Sequence, residues 1–154
     1  MITGMPQNSP FGKMHHVGVI VRDIDKAIVH LESLGMGPFE GMGGSKWFEI
    51  TFKGELHGKP EEWKVKISNA QMGDVQLELL EPSGGKSALQ ESLDATGEGL
   101  HHVGYLVDDL NSEIARGLRR GLKVWTVSKP ENRPGFVYFE PTKVAGIAIE
   151  LRTR

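Results

Sequence analysis

The strongest constraint on this chain is that it repeats itself. His15-His16-Val17-Gly18-Val19-Ile20-Val21-Arg22-Asp23-Ile24 aligns with His101-His102-Val103-Gly104-Tyr105-Leu106-Val107-Asp108-Asp109-Leu110, and six of the ten positions are identical, the first four among them. A second match follows in the same order. Val75-Gln76-Leu77-Glu78-Leu79 stands against Ile147-Ala148-Ile149-Glu150-Leu151, with a glutamate at the same place in an aliphatic run. Two matches in one order predict a duplicated unit, each copy opening on a His-bearing strand and closing on a Glu-bearing one. Glu78 follows His16 by 62 residues and Glu150 follows His102 by 48, a surplus of 14 in the first copy. Gly54, Gly58 and Pro60 place that surplus in an extended hairpin or loop between Phe52 and Trp63.

Within each copy the order reads strand, helix, three strands. Asp23 caps a helix to about Leu34, with Ile24, Ala27, Ile28, Leu31 and Leu34 on one face and Gly35 beyond it. Asp109 caps its counterpart, whose stripe is Leu110, Ile114, Ala115 and Leu118, ending at Gly121. Strands are expected over Trp47–Phe52, Trp63–Ser68 and Val75–Leu80, then Val124–Ser128, Phe136–Phe139 and Ala145–Leu151. Ser87 and Gln90 form a possible capping box for a short helix ending near Thr96. The predicted class is α+β: two βαβββ modules in tandem, about eight strands in one curled, cup-shaped sheet with helices outside. Residues 1–13 read as a flexible lead-in, 14–82 as the first module, 83–99 as a linker with its helix, and 100–154 as the second module.

Side chains alternate across a strand. His16 shares a face with Gly18 and Ile20, and His102 with Gly104 and Leu106. Glu78 and Glu150 likewise point away from the most aliphatic face of their strands. If the sheet curls, His16, Glu78, His102 and Glu150 line one cavity. Two buried carboxylates near each other are costly unless neutralised, and two imidazoles with a divalent cation would do so. The donor set suits cobalt, nickel, zinc, manganese or iron and leaves room for water or substrate. His15 and His101 fall on the opposite strand face and are read as structural; His30 and His57 are read as surface residues. Trp47, Trp63 and Trp125 are read as core, with an interface or the cup wall as alternatives. Met5, Met36, Met42 and Met72 are candidates for an adaptable apolar pocket.

Composition narrows the function classes. There is no cysteine, which excludes disulfides, thiolate sites and a cysteine nucleophile and fits a cytoplasmic location. Net charge is −2, and Arg116, Arg119 and Arg120 are the only basic cluster, which argues against a nucleic-acid partner. No apolar run is long enough for a membrane span, and Met1–Lys13 lacks a signal-peptide core.

These residues resemble the vicinal-oxygen-chelate (glyoxalase/bleomycin resistance/dioxygenase) superfamily from Met14 onward. Within it, Glu78-Leu79-Leu80-Glu81-Pro82, Gly97-Glu98-Gly99-Leu100-His101-His102-Val103, Val107-Asp108-Asp109-Leu110 and Gly146-Ile147-Ala148-Ile149-Glu150-Leu151 look most like methylmalonyl-CoA epimerases. The resemblance implies one divalent metal ion on His16, Glu78, His102 and Glu150, with Glu150 as the leading base and Glu78 second. It also implies a small-molecule substrate (an acyl-CoA or a glutathione-type adduct) and a homodimer. In such epimerases a further acidic base can stand on the strand that here holds Val65-Lys66-Ile67. Lys66 falls near that position and, with Tyr138, is a candidate substrate contact. Glyoxalase I (lactoylglutathione lyase) is the near alternative with the same ligand types. An extradiol dioxygenase would need only two His and one carboxylate, and a drug-binding relative would need no full ligand set.

Overall fold

The computed structural model describes residues 8–154. The expectations for residues 1–7, as part of the lead-in and with Met5 in an apolar pocket, lie outside the described residues. The elements are β1 (Met14–Ile20), α1 (Ile24–Ser33), β2 (Phe48–Leu56), β3 (Lys59–Met72), β4 (Val75–Gly85), α2 (Ala88–Thr96), β5 (Gly99–Val107), α3 (Leu110–Arg119), β6 (Val124–Ser128), β7 (Phe136–Phe139) and β8 (Ala148–Thr153). Eight strands close into a barrel in the order β1-β4-β3-β2-β6-β7-β8-β5. Each copy contributes four neighbours, and within each the first strand pairs parallel with the last. The copies join twice, through antiparallel β1–β5 and antiparallel β2–β6.

The surplus of the first copy is a long β2–β3 hairpin, turned by His57 and Gly58, both with positive φ. Two consecutive left-handed residues suit the strand twist of a tight hairpin. Its tip makes the second seam: Glu55 and Leu56 pair with Val127 and Thr126, and the His57 amide donates to the Trp125 carbonyl. The insertion therefore closes the barrel.

Asp23 and Asp109 accept from Lys26 and Ser112 backbone amides as N-caps, each worth about 1 kcal/mol. α1 buries Ile24 and Ile28 against Leu79 and Ala70 outside the barrel, each contributing roughly 1.5–3 kcal/mol. Leu34 is the C-cap and turns outward, so the predicted stripe ends at Leu31. α3 also departs from expectation: Gly117, not Leu118, faces the sheet. A Cβ there would come within 2.6 Å of the Phe139 ring, so the helix lies close only because position 117 has none. The Ser87 hydroxyl caps α2 by accepting from Gln90, whose own side chain turns to Asp94, so the capping box is half made. α2 does not sit outside with the others. Its Ala88, Leu89 and Leu93 join the inward-facing cluster with Ile20, Leu80, Trp63 and Trp125. Trp63 and Trp125 are thus core, while Trp47 is half-buried, with Lys66 over its ring. Among the described residues no helix is long and apolar enough to cross a membrane.

Candidate metal centre and its cavity

The β1–β5 seam explains why the repeat carries His-x-Gly. The antiparallel register sets His16 opposite Gly104, Val17 opposite Val103 and Gly18 opposite His102, so the motif is complementary to itself. Each imidazole lies over the other copy's glycine. A Cβ on Gly18 would stand 2.1 Å from His102 Cε1, and one on Gly104 2.0 Å from His16 Cε1. On the outer side of each glycine comes a glutamate, since Gly18 pairs with Glu78 and Gly104 with Glu150. Two rows across four strands, Gln76-His16-Gly104-Glu150 and Glu78-Gly18-His102-Ala148, therefore present two His and two Glu around a pseudo-twofold centre.

All four side chains are buried, and one donor atom from each lies within 4.8 Å of the others. His16 Nε2 is 3.2 Å from His102 Nε2, Glu150 Oε2 is 3.0 Å from His102 Nε2, and it is also hydrogen-bonded to His16 Nε2. Glu78 Oε1 stands farther off, at 3.8 Å from His102 and 4.0 Å from His16. Burial alone would raise the Glu150 carboxyl, but the hydrogen bonds from His102 and His16 overcome it and hold the group well below the carboxylate range. Glu78 lacks such bonds, and burial pushes it up. Burial pulls the His16 imidazolium down, yet the bond to Glu150 and the charges of both glutamates keep it above its ordinary value. Two imidazoles and two carboxylates converging on one point fit a divalent ion in chemistry and number.

His15 and His101 correct the alternation argument. Both occupy β-bulges: the pairing steps from Met14↔Tyr105 to His16↔Gly104, and from Gly18↔His102 to Val19↔Leu100, leaving one extra residue each time. A bulge re-aims a side chain, and here it turns each ring to its neighbour. His15 Nδ1 is 2.9 Å from His16 Nδ1, and His101 Nδ1 is 2.9 Å from His102 Nδ1. Burial, with the neighbouring His102, lowers His101 to about 3. It therefore stays neutral and can accept the Nδ1–H of His102, leaving that residue's Nε2 lone pair for the centre. His15, lowered by burial and by Arg152, is suited to the same task. Among the other surface assignments, His30 is exposed, and His57 lies between Glu91 at 3.0 Å and Glu140 at 3.4 Å.

A cavity of about 430 Å³ opens onto Glu78 and Glu150. Phe48, Ile50, Phe52, Trp63, Val65 and Ile67 make an apolar wall along β2 and β3. Of the loop methionines, only Met42 lines it among the described residues. Tyr138 lines it too, its ring 4.8 Å from that of His102; burial, then the two carboxylates, raise its phenol well above the usual range. Lys66 is not brought to the site. Strand alternation turns it out of the barrel, where Nζ is 3.6 Å from Glu81 and sits over Trp47. The inward positions of β3 are Trp63, Val65, Ile67 and Asn69, and among the described residues Glu78 and Glu150 are the only acids in the wall. Asn69 and Arg152 are cavity residues that sequence reasoning missed. The signal for Arg152 was present: it occupies the place of Leu80 in the repeat.

Residues 15–139 match the Glyoxalase/Bleomycin resistance protein/Dioxygenase superfamily. The chain belongs to that superfamily. This glyoxalase-superfamily chain is 39% identical over 86 residues to the Bacillus subtilis protein YqjC, an alignment covering 54% of the chain and 61% of YqjC. It is 25% identical to human mitochondrial methylmalonyl-CoA epimerase across 97% of its own length and 77% of the human protein's. Among solved structures, the Mycobacterium tuberculosis methylmalonyl-CoA epimerase superposes with a TM-score of 0.62 at 22% identity, covering 97% and 92% of the two chains. The Streptomyces coelicolor epimerase in complex with 2-nitronate-propionyl-CoA gives 0.60 at 20% identity, covering 92% and 93%. At these identities the structural likeness establishes the superfamily's fold for this chain.

Proposed function

We propose that the protein is a divalent-metal-dependent isomerase that moves a proton on the carbon beside a carbonyl group, with methylmalonyl-CoA epimerase as its functional reference. The observation that carries this is the convergence of His16, Glu78, His102 and Glu150, one pair from each repeat, with both carboxylates lining a largely apolar cavity. A divalent ion held by these four would polarise the carbonyl oxygen and stabilise the charge that develops as the neighbouring C–H ionises. Glu150, ionised beside the cation, is the group that takes the proton. Glu78, the carboxylate of the other repeat, is the partner that returns one. The two carboxylates come from opposite repeats, the arrangement that inversion at a carbon between them needs. No third acid is required, which fits a wall whose inward β3 positions are apolar or amide. His15 and His101 keep the two imidazoles oriented, and the apolar wall excludes water.

The glyoxalase I reading uses the same two carboxylates and is separated by substrate. A dioxygenase would want the position of one glutamate open, and a drug-sequestering role would not call for four converging donors. The test is deuterium incorporation from solvent at C2 of methylmalonyl-CoA, with metal-loaded and chelator-treated protein. Incorporation is expected only with metal. Turnover of the methylglyoxal–glutathione adduct alone would favour the lyase, and no exchange with either substrate would refute the isomerase reading.

A further inference from the structure

The donor set is two-fold symmetric and cannot by itself distinguish one end of a substrate from the other. Around it the repeats differ. Ile67, Asn69 and Leu80 flank Glu78, whereas Phe136, Tyr138 and Arg152 occupy the equivalent register positions around Glu150. All six line the same cavity. The largest change in chemistry is Leu80 against Arg152. Arg152 is half-buried; among the described residues its Nε is buried with no hydrogen-bond partner, and its Nη2 reaches only to His15 Nδ1 at 3.5 Å. It makes no ion pair within 4 Å among the described residues; of the two acids in the cavity wall, Glu150 is bonded to both imidazoles and Glu78 stands beside them at 3.8 and 4.0 Å. A guanidinium left like this against an apolar cavity is costly unless a ligand anion meets it. On the other side, Leu80 and Ile67 run into Phe48, Ile50 and Val65, and the second guanidinium of the wall, Arg133, is already engaged, lying over the Phe52 ring and donating to the Thr51 carbonyl. The whole space, about 430 Å³, corresponds to roughly fourteen water-sized groups. A methyl substituent would leave most of the wall uncovered.

Resting on the proton-transfer reading, we infer that the substrate is a carbonyl compound with a carboxylate at one end and an aryl or branched-alkyl group at the other. Arg152 receives the carboxylate, the carbonyl faces the four donors, and the bulky group covers the β2–β3 wall. The polarity of binding is then written in the positions where the repeat is broken.

The test uses three probes on the full chain, metal-free and metal-loaded, with binding followed by calorimetry and by the fluorescence of Trp63 and its neighbours. The probes are phenylpyruvate, its neutral amide and pyruvate. Phenylpyruvate is expected to bind roughly tenfold or more tightly than the amide, as a charge-assisted bond predicts, and tighter than pyruvate by a similar factor. Arg152→Leu, which restores the first repeat's residue, should bring phenylpyruvate down to the affinity of the amide and leave metal stoichiometry unchanged; Arg152→Lys should retain part of the preference. Equal binding of acid and amide by the wild type, an undiminished preference in Arg152→Leu, or no binding of any probe would overturn the inference. If the acid preference holds in protein that takes no metal, only the proton-transfer reading fails. If metal loads and methylmalonyl-CoA exchanges but the acid preference is absent, only the present inference fails.

Discussion

Gly18→Ala and Gly104→Ala will each cost at least about a hundredfold in affinity for a divalent ion while the barrel remains folded. The added methyl would lie 2.1 or 2.0 Å from a ring atom of the imidazole across the seam, far inside contact distance. Neither side has slack, because the ring is buried and the glycine sits in the middle of the β1–β5 pairing. The ring must leave its place over the strand, and a displaced ligand forfeits its position among the other three. Overpacking of this kind costs about 1–3 kcal/mol, so a cooperative thermal transition should persist at a lowered midpoint. Gly84→Ala is the control: it lies in β4, and its Cβ would meet Lys64 only at ordinary contact distance, 3.7 Å. Calorimetric titration with cobalt or nickel, beside circular dichroism, reads both quantities. Wild-type affinity in Gly104→Ala would mean that the imidazoles are not held by the seam.

Glu150→Gln should lower the rate of solvent-proton exchange on substrate by roughly 10²–10⁴-fold, the range for loss of a positioned general base. The substitution keeps the shape and one oxygen to accept from the imidazoles but cannot take a proton. Glu78→Gln removes the group that burial holds up and that lies farther from both imidazoles, so its effect should be smaller on proton removal than on inversion. Metal content measured on each variant separates loss of the base from loss of the ion. A kcat for Glu150→Gln within tenfold of wild type would move the base elsewhere.

Much of the architecture was legible because a His-bearing strand and a Glu-bearing strand recur in the same order; the register of the seam is what the structure adds. His-x-Gly in both copies pairs with itself across an antiparallel seam, and that single fact places both imidazoles. The two aliphatic runs with one glutamate complete the set by alternation. Alternation failed where the chain departs from period two. His15 and His101 sit in bulges, which no residue pattern in a pair of histidines reveals, so their rings turn toward the ligands they were expected to face away from. Lys66 failed for the opposite reason: alternation holds in β3, and it points outward while Val65 and Ile67 point in. The face of α3 was misjudged because periodicity counts side chains, and here the absence of one at Gly117 decides which face approaches Phe139. Arg152 is not visible in what the two copies share, because a symmetric site acquires direction only from the positions where they differ.

The most direct test of the whole account is the metal content of the purified protein, by elemental analysis before and after reconstitution with cobalt, nickel, zinc, manganese or ferrous iron, set beside His16→Ala. One tightly held divalent ion per chain, absent from His16→Ala, is the predicted result. A wild type that takes up none of these ions after reconstitution would contradict the account at its centre, leaving four buried side chains that only hydrogen-bond one another.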